Sequence, residues 1–463
     1  MPPTLALLIW LVLLLALLIF DPARDPKTSV FLWVPVIWLF IVASRLPSQW
    51  LGIQGLSQSQ AYLQGNPLDR TIWSGMILVA IGVLVSRQFR WGDFVADNFA
   101  LVAFITFALL SVLWSGFPYV TFRRWTRDLG DYIVILVILS DPRPLEAVRT
   151  VLRRVSYLLV PLSILLIKYF PHLGRLYTQW GGGAMYTGAA QSKNMLGGMC
   201  LVSGLFFFWD TITRWSERKD RRTRRILLVN AALLAMTLYL LRLAHSATSS
   251  TCLALGCLVI AVAHSKMGKR HPWLPMVMVP AGFITYLVLT LGLGMTGDLN
   301  HLVGRKANFT DRTLIWKTLL GMHTNPLLGT GYQAFWLGPR LHYVWQIVGV
   351  HINEAHDGYL GVYLELGLIG LLLLCAFLVA SYRNTCKRLE SDHALGLLAL
   401  GAWTVLVFYN VTEAAFTGGL LWDMLLMGAL VIPARVKARV VTASAFDMGG
   451  AKGVTRSPYG MAG

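Results

Sequence analysis

Histidine and arginine side chains are concentrated in residues 295–370 of an otherwise apolar chain. This stretch holds five of the ten histidines. Its candidate functional side chains are His301, His323, His342, His351, His356, Arg305, Lys306, Arg312 and Arg340. Ionisable groups beside membrane spans are costly unless they have a function. An imidazole can accept a proton near neutral pH, and guanidinium groups can bind phosphate oxygens. The stretch is therefore predicted to catalyse a reaction or to bind an anionic substrate.

Arg312 is predicted to lie in the first turn of a helix at the membrane surface. Thr310 is a suitable N-cap, and apolar residues at 314, 315, 319 and 320 recur at helical spacing. Gly321 and Pro326 are stop signals. A guanidinium fork suits a diphosphate because it donates paired hydrogen bonds. The alternatives are a salt bridge to Asp311 or a contact with a lipid headgroup.

His356 precedes a predicted span and is a candidate general base for an attacking hydroxyl. The alternatives are a structural hydrogen bond or an interfacial histidine. A metal site with His351 and Glu354 is a further alternative, but the spacing matches no standard helical zinc pattern. The chain contains no Asp-x-Asp phrase, which disfavours nucleotide-sugar chemistry with a bound divalent ion. We expect no metal and no cofactor.

A second informative stretch contains glycines at 181–183 and 188, followed by Lys193 and Asn194 at the start of a predicted span. Free N–H groups at a helix start, with a lysine nearby, can hold a phosphate. The alternative is a flexible loop with a lysine that snorkels to the interface. Glu365 and Glu413 lie within or beside apolar runs. Such carboxylates are functional candidates by default, although Glu365 could instead pair with an arginine of a neighbouring span.

The composition predicts an all-α, polytopic membrane protein. Of the 463 residues, 56% are hydrophobic and 13% are charged, and the mean hydropathy is +0.60. Apolar runs long enough to cross a bilayer recur along the chain, so residues 1–433 are predicted to form one transmembrane domain. The predicted spans, thirteen or equally twelve, are 4–20, 28–44, 72–87, 97–115, 129–141, 155–170, 195–211, 226–243, 247–263, 273–294, 359–380, 395–411 and 418–433. Residues 434–463 are predicted to be a disordered cytoplasmic tail.

The distribution of lysine and arginine predicts the orientation. The richest loop, 212–225, is assigned to the cytoplasm, and alternation then places 171–194, 295–358 and 412–417 outside. Arg123, Arg124 and Arg127 fall in a loop that this alternation also places outside, which breaks the rule or marks a functional patch. The net charge of +18 is assigned to these loops and to contact with the lipid bilayer, so we expect no nucleic-acid partner.

Four phrases occur in a fixed order, at 310–316 (TDRTLIW), 325–332 (NPLLGTGY), 356–360 (HDGYL) and 365–370 (ELGLIG). This order resembles the O-antigen ligase and polymerase superfamily, whose members are integral membrane glycosyltransferases acting on lipid-linked glycans. The resemblance covers about a quarter of the chain. Asp357 stands where the superfamily usually has asparagine, so the hydrogen bonding of the adjacent histidine is expected to differ.

The resemblance implies an inverting glycosyltransferase whose donor is a glycan on undecaprenyl diphosphate. The acceptor would be a glycan or a lipid-linked glycan, on the periplasmic side of a bacterial inner membrane. Arg312, Lys193 and Arg305 would neutralise the leaving diphosphate, and His356 would be the base. The further substrate-binding candidates are Asn194, Tyr359, Glu365, Arg123 and Arg124, the last two near a family-like Trp-Ser-x-x-Pro phrase at 114–118.

Polymerase and ligase remain open, although the Lys193-Asn194 phrase resembles exopolysaccharide polymerases. The alternative from another class is a transporter or flippase for anionic lipid-linked glycans. It would need the same basic groups but no general base, and the absence of an evident internal repeat weakens it. A membrane assembly factor without catalysis is the third alternative.

Overall fold

The computed structural model describes residues 1–53, 65–177, 183–288, 310–349 and 351–433. Residues Met1–Ile432 form one compact unit. Helices dominate the described residues, where a single two-stranded antiparallel hairpin pairs β1 (Arg175–Tyr177) with β2 (Ala184–Tyr186). The described helices are α1 (Pro3–Ile19), α2 (Trp33–Val42), α3 (Pro47–Trp50), α4 (Pro67–Ser86), α5 (Trp91–Asp97), α6 (Phe99–Leu110), α7 (Pro118–Leu139), α8 (Pro144–Tyr169), α9 (Pro171–Gly174), α10 (Lys193–Arg214), α11 (Arg221–Ala244), α12 (Ala247–His264), α13 (Lys266–Arg270), α14 (Trp273–Leu287), α15 (Thr310–Leu320), α16 (Pro339–Val348), α17 (Gly358–Ser391), α18 (His393–Tyr409) and α19 (Leu420–Ala429).

The predicted all-α, polytopic architecture is confirmed. Among the described residues, six helices are long and apolar enough to cross a membrane: α4, α8, α10 with its 3-10 extension, α11, α12 and α17. The pair of α5 and α6, bent by 98°, makes a seventh candidate. Shorter apolar helices (α1, α2, α14, α18 and α19) account for other predicted spans. The run predicted at 129–141 is the second half of α7, which already begins at Pro118.

The bundle is organised around buried helices. In the most apolar stretch of each helix, about three quarters of the residues are buried in α8 (78%) and α10 (72%), whereas only 28% are buried in α4 and 33% in α11. Helices α8 and α10 are therefore the core of the bundle, and α4 and α11 face outward. Helix starts follow the sequence signals, since Asp220 and Ser246 accept hydrogen bonds from Thr223 N and Ser249 N at the starts of α11 and α12.

One end of the bundle is held by a buried ionic network around Asp210, near the end of α10. Asp210 Oδ1 lies 2.9 Å from Arg214 Nε and 3.2 Å from Arg149 Nε, while Oδ2 pairs with Arg153. Asn230 Nδ2 also donates to Asp210 Oδ2 at 2.8 Å. The network adjoins the basic loop 212–225, at the end of the bundle that is predicted to be cytoplasmic.

At the opposite end, the 326–331 loop packs against a break in α17. The backbone of Gly367 is non-helical (φ +65°), and the next two residues donate to the loop: Leu368 N to Pro326 O at 2.8 Å and Ile369 N to Leu327 O at 3.2 Å. A Cβ at Gly367 would lie 2.2 Å from Leu327 backbone atoms, and one at Gly329 would lie 2.4 Å from those of Glu365. The glycines of the NPLLGTG and ELGLIG phrases therefore allow these two backbones to touch.

Candidate functional site

Four separate segments meet at the carboxylate of Glu413, just beyond the end of α18. Helix α15 supplies Arg312, the first turn of α10 supplies Asn194, and the segment before α17 supplies His356. Glu413 is only 5% exposed, so its charge depends on these neighbours for compensation.

Arg312 reaches Glu413 from the first turn of α15. Its Nη1 donates to Thr412 O at 2.6 Å, and its Nη2 lies 3.2 Å from Glu413 Oε1. The predicted helix and its end before Gly321 are confirmed, and Ile315 and Leu319 are buried in a cluster with Phe335 and Trp336. The Arg312 side chain keeps 21% exposure, which leaves part of the guanidinium accessible from outside.

Trp316, one turn further along α15, holds the loop that carries His356. Its indole Nε1 donates to Ala355 O at 2.9 Å. One helix therefore positions both the arginine and the histidine loop, which gives the spacing in the TDRTLIW phrase a structural reason.

The loop is fixed on its other side by Gly358 and Asn410. Gly358 N donates to Asn410 O at 2.7 Å, and a Cβ at Gly358 would lie 2.0 Å from Asn410 Oδ1. Asp357 caps α17, because its Oδ1 accepts a hydrogen bond from Leu360 N at 2.9 Å. Asparagine can make the same cap, so this departure from the family pattern preserves the helix start.

The imidazole of His356 lies between two carboxylates. Its Nδ1 is 3.0 Å from Glu354 Oε1 and 3.4 Å from Glu413 Oε2. Because carboxylates only accept hydrogen bonds, we assign a proton to Nδ1, which leaves Nε2 to interact with a substrate. The His356 backbone is held in the left-handed region at φ +50°, an uncommon conformation for a residue other than glycine. Both carboxylates therefore lie on the Nδ1 side of the ring.

The same carboxylates change the pKa of His356. Burial lowers this pKa, but hydrogen bonding and charge from Glu354 and Glu413 outweigh burial and raise it to about 9. The sequence suggested an imidazole that is neutral near pH 7. In the free protein the ring is instead mainly protonated at that pH.

Asn194 and Lys193 lie at the start of α10, where Ser192 accepts a hydrogen bond from Met195 N at 3.1 Å. Asn194 Nδ2 donates to Glu413 Oε2 at 3.2 Å, and the Lys193 side chain is exposed. The predicted Asn194 is therefore brought to the same carboxylate as Arg312 and His356, with an exposed lysine beside it.

Comparison with known proteins agrees with the motifs. Residues 231–375 match the family model described as O-Antigen ligase. The chain is 26% identical over 330 residues to the exopolysaccharide production protein ExoQ of Rhizobium meliloti, covering 67% of this chain and 70% of that protein. The predicted resemblance to the O-antigen ligase and polymerase superfamily is confirmed. Both matches support a role of the ligase or polymerase type.

The matched O-antigen ligase region contains Arg312, Glu354 and His356, but neither Asn194 nor Glu413. The sequence argument noted Glu413 only as a carboxylate near an apolar run and did not place it at the centre of the site. The signal that could have found it is the set of polar residues Asn410, Thr412 and Glu413 at the end of an apolar span, on the side predicted to be outside.

Two other predicted site residues, Glu365 and Arg124, meet at the backbone of Gln333. Glu365 accepts a hydrogen bond from Gln333 N at 3.0 Å, and Arg124 Nη1 donates to Gln333 O at 2.6 Å. Arg123 stacks on Tyr119, with its guanidinium carbon 5.9 Å from the ring centroid. Glu365 and Arg124 thus anchor the segment that contains Gln333.

The remaining predicted residues have different surroundings. Tyr359 packs its ring on Phe416 at 4.9 Å and donates to Val407 O at 3.2 Å, which joins α17 to α18. Arg305 lies outside the described residues. Trp114 Nε1 donates to Leu328 O at 3.0 Å, so the Trp-Ser phrase contacts the 326–331 loop.

The possible metal ligands differ from those suggested by the sequence. Ligand atoms of Glu354, His356 and Glu413 lie within 4.8 Å of one another, whereas His351 stacks on Trp345 at 4.3 Å. A cation among these three groups would compete with Arg312, which already contacts Glu413 Oε1 at 3.2 Å. Metal-free action remains a prediction.

Proposed function

We propose that this protein is a membrane glycosyltransferase that transfers or polymerises a glycan from a polyprenyl-diphosphate donor. The observation that carries the proposal is the meeting of Arg312, Asn194 and His356 at Glu413. A cation able to bind a diphosphate and a base able to accept a hydroxyl proton are the two groups that this displacement needs. Undecaprenyl diphosphate is the proposed carrier, from the family resemblance.

Arg312 would act on the leaving diphosphate. A guanidinium has five N–H donors. The contacts with Thr412 and Glu413 use two of them, so donors remain for phosphate oxygens. The exposed Lys193 would supply a second positive charge from the start of α10, and Arg305 is a third candidate. Positive charge that stabilises the departing anion more than the bound donor accelerates the reaction.

His356 would act on the acceptor hydroxyl through Nε2, with Glu354 and Glu413 orienting the ring. The arrangement is analogous to a serine-protease triad, in which a carboxylate at Nδ1 orients the histidine. A pKa of about 9 leaves only about one ring in a hundred neutral at pH 7, so a base mechanism predicts faster reaction at higher pH. Direct attack by the hydroxyl, without a covalent enzyme intermediate, would invert the anomeric carbon.

The polymerase is the better-supported member of the class. The Lys193-Asn194 phrase resembles exopolysaccharide polymerases, and the similar ExoQ is named for exopolysaccharide production. A polymerase would join lipid-linked glycans to one another, and a ligase would attach finished chains to a different acceptor.

The reaction is tested with purified protein and a lipid-linked glycan as the sole donor. Longer glycans on the lipid carrier support a polymerase, and transfer to a second acceptor supports a ligase. Movement of intact donor across vesicles without any new glycosidic bond would contradict the enzyme and favour the flippase. In cells, deletion should shorten surface glycan chains if the protein is a polymerase.

We further propose that residues 295–358 face the periplasm of a bacterial inner membrane and that 434–463 are cytoplasmic. Supporting this, Asn194 and the Asp210 network lie at opposite ends of α10. Single cysteines at Ser216 and Leu320, in a cysteine-free background, would be treated with an impermeant maleimide on intact cells. Both side chains are exposed. Labelling at Leu320 alone is expected, and labelling at Ser216 alone would invert the orientation.

A further inference from the structure

Three buried aspartates of the bundle, Asp128, Asp131 and Asp423, are not among the residues that meet at Glu413. Asp128 and Asp131 are three residues apart on α7, so they share one face of that helix. Asp423 lies in the first turn of α19, which packs against α7. The three residues are only 4%, 6% and 1% exposed. Carboxylates inside a membrane bundle are costly unless positive charge or hydrogen-bond donors compensate them, so each one requires a partner.

The charge of Asp128 is compensated by its neighbours. Arg127 Nε donates to Asp128 Oδ1 at 2.8 Å, and the Tyr332 hydroxyl donates to Asp128 Oδ2 at 2.9 Å. Gln333 Nε2 also donates to Oδ2. Because Tyr332 and Gln333 directly follow the 326–331 loop, Asp128 fastens this part of the chain to α7.

Asp131 has a weaker set of hydrogen bonds. The indole of Trp38, from α2, donates to Asp131 Oδ1. Gly130 makes room for that indole, since a Cβ at Gly130 would lie 2.3 Å from the Trp38 ring. Asp131 Oδ2 lies beside the turn that precedes α19, where a Cβ at Gly418 would be 3.5 Å from it. An indole N–H is a neutral donor, so this hydrogen bond leaves the negative charge of Asp131 in place.

Asp423 has no hydrogen-bond partner for either carboxylate oxygen within the part of the chain that the structure describes. The ionisable groups that act on its charge are Asp131 and Asp128, which are both negative. The Asp423 carboxylate is therefore directed towards the pair on α7 and adds to the negative charge there. A proton on Asp423 would create one donor and leave the other oxygen without one, whereas a cation can contact both oxygens.

We propose that Asp423 and Asp131 bind one sodium ion. Their ligand atoms are oxygens, which suit hard cations. Calcium takes about six to eight oxygen ligands and magnesium usually keeps several waters, so two buried carboxylates suit neither ion. A singly charged ion also loses less hydration free energy than a doubly charged one when it is buried. Arg127 acts on both Asp128 and Asp131, so the cluster keeps two net negative charges, of which sodium neutralises one.

The bound ion would join three parts of the bundle. Asp131 is tied to α2 through Trp38, Asp423 belongs to α19, and Asp128 holds the backbone that follows the 326–331 loop through Tyr332. Sodium should therefore stabilise the folded protein, whether or not the protein transfers glycans. EDTA does not remove sodium, so this site is compatible with turnover in EDTA.

Thermal unfolding of the purified full-length protein tests the site without any substrate. Sodium chloride is compared with choline chloride at equal ionic strength, and sodium should raise the unfolding midpoint of the wild type by roughly 2–4 °C. Asp423→Asn should abolish this difference. In choline chloride this variant should be at least as stable as the wild type, because it removes an uncompensated buried charge. Asp97→Asn is the matched control and should keep the sodium effect, since Asp97 is exposed at the end of α5.

Binding of radioactive sodium is the second measurement. The wild type should bind a single ion that sodium displaces and choline does not, and Asp423→Asn should lose this binding. Equal midpoints of the wild type in the two salts would overturn the proposal and indicate that protons neutralise the cluster. A sodium effect that persists in Asp423→Asn would also overturn it, as would stabilisation by calcium without any bound sodium.

Discussion

The role of Glu413 can be tested by its effect on the pH dependence of the reaction. The pKa of His356 is raised from 6.5 to about 9 by two carboxylates acting against burial. Glu413→Gln removes one of these two carboxylates, so it should lower the pKa of His356 from its value of about 9. A base must be deprotonated, so kcat/KM should increase with pH and level off above this pKa. The variant should therefore level off at a lower pH than the wild type.

Glu354→Gln is the matched control for this prediction. Glu354 approaches His356 Nδ1 at 3.0 Å, whereas Glu413 contacts His356, Arg312 and Asn194. Both variants should lower the midpoint, but only Glu413→Gln should also weaken donor binding, because Arg312 and Asn194 lose their charged partner.

The assay is kcat/KM for a lipid-linked donor from about pH 6 to about pH 10, with the amount of monodisperse protein measured for each variant. An activity that falls as pH rises through 9 would refute the base role and make the His356 cation a ligand of the diphosphate. A midpoint near 9 that neither variant changes would show that His356 does not control the rate.

Three further outcomes are expected. His356→Ala should reduce turnover by about 10²–10⁴-fold, and Arg312→Ala should impair turnover more than Arg312→Lys does. The loss in the His356→Ala/Arg312→Ala double variant should be far smaller than the product of the two single losses. The measurement is glycan product per amount of extracted protein, and full turnover in either alanine variant would remove the role of that residue. Turnover should persist in excess EDTA, whereas a loss restored by magnesium or manganese would assign a metal to Glu354, His356 and Glu413. Gly358→Ala should lower the free energy of unfolding by about 1–3 kcal/mol and reduce the yield of folded protein, because its Cβ would lie 2.0 Å from Asn410 Oδ1. Gly361→Ala is the control: its Cβ would have nothing within 4 Å, so this variant should match the wild type in thermal stability. Equal stability of the two alanine variants would contradict that packing argument.

The sequence alone was sufficient for features that depend on neighbouring residues. Apolar runs identify membrane helices because each crossing segment must satisfy its own backbone hydrogen bonds. The helix of Arg312 and its end before Gly321 follow from local spacing and stop signals, and both match the structure. The ordered phrases, read as a resemblance, pointed to the superfamily and selected Arg312 and His356, and the separate Lys193-Asn194 phrase selected Asn194.

The tertiary structure decided which of these residues act together. Asn194 and Glu413 are 219 positions apart, and Arg312 is 101 positions from Glu413. Local periodicity carries no information about such pairs in a single sequence, so Glu413 could not be identified as their common partner. For the same reason the raised pKa of His356 was missed, because it depends on the charge of Glu413, supplied from beyond α18.

For Glu365, Arg124 and Tyr359 too, the contacts of the side chain could not be read from the sequence alone. Their positions in family-like phrases suggest contacts with substrate, which stay predictions; the partners that the structure shows for them are Gln333, Val407 and Phe416. The glycines at 329, 358 and 367 serve close backbone contacts between distant segments. A phrase indicates that a residue type is needed, but whether it serves packing or chemistry depends on the atoms that folding places beside it.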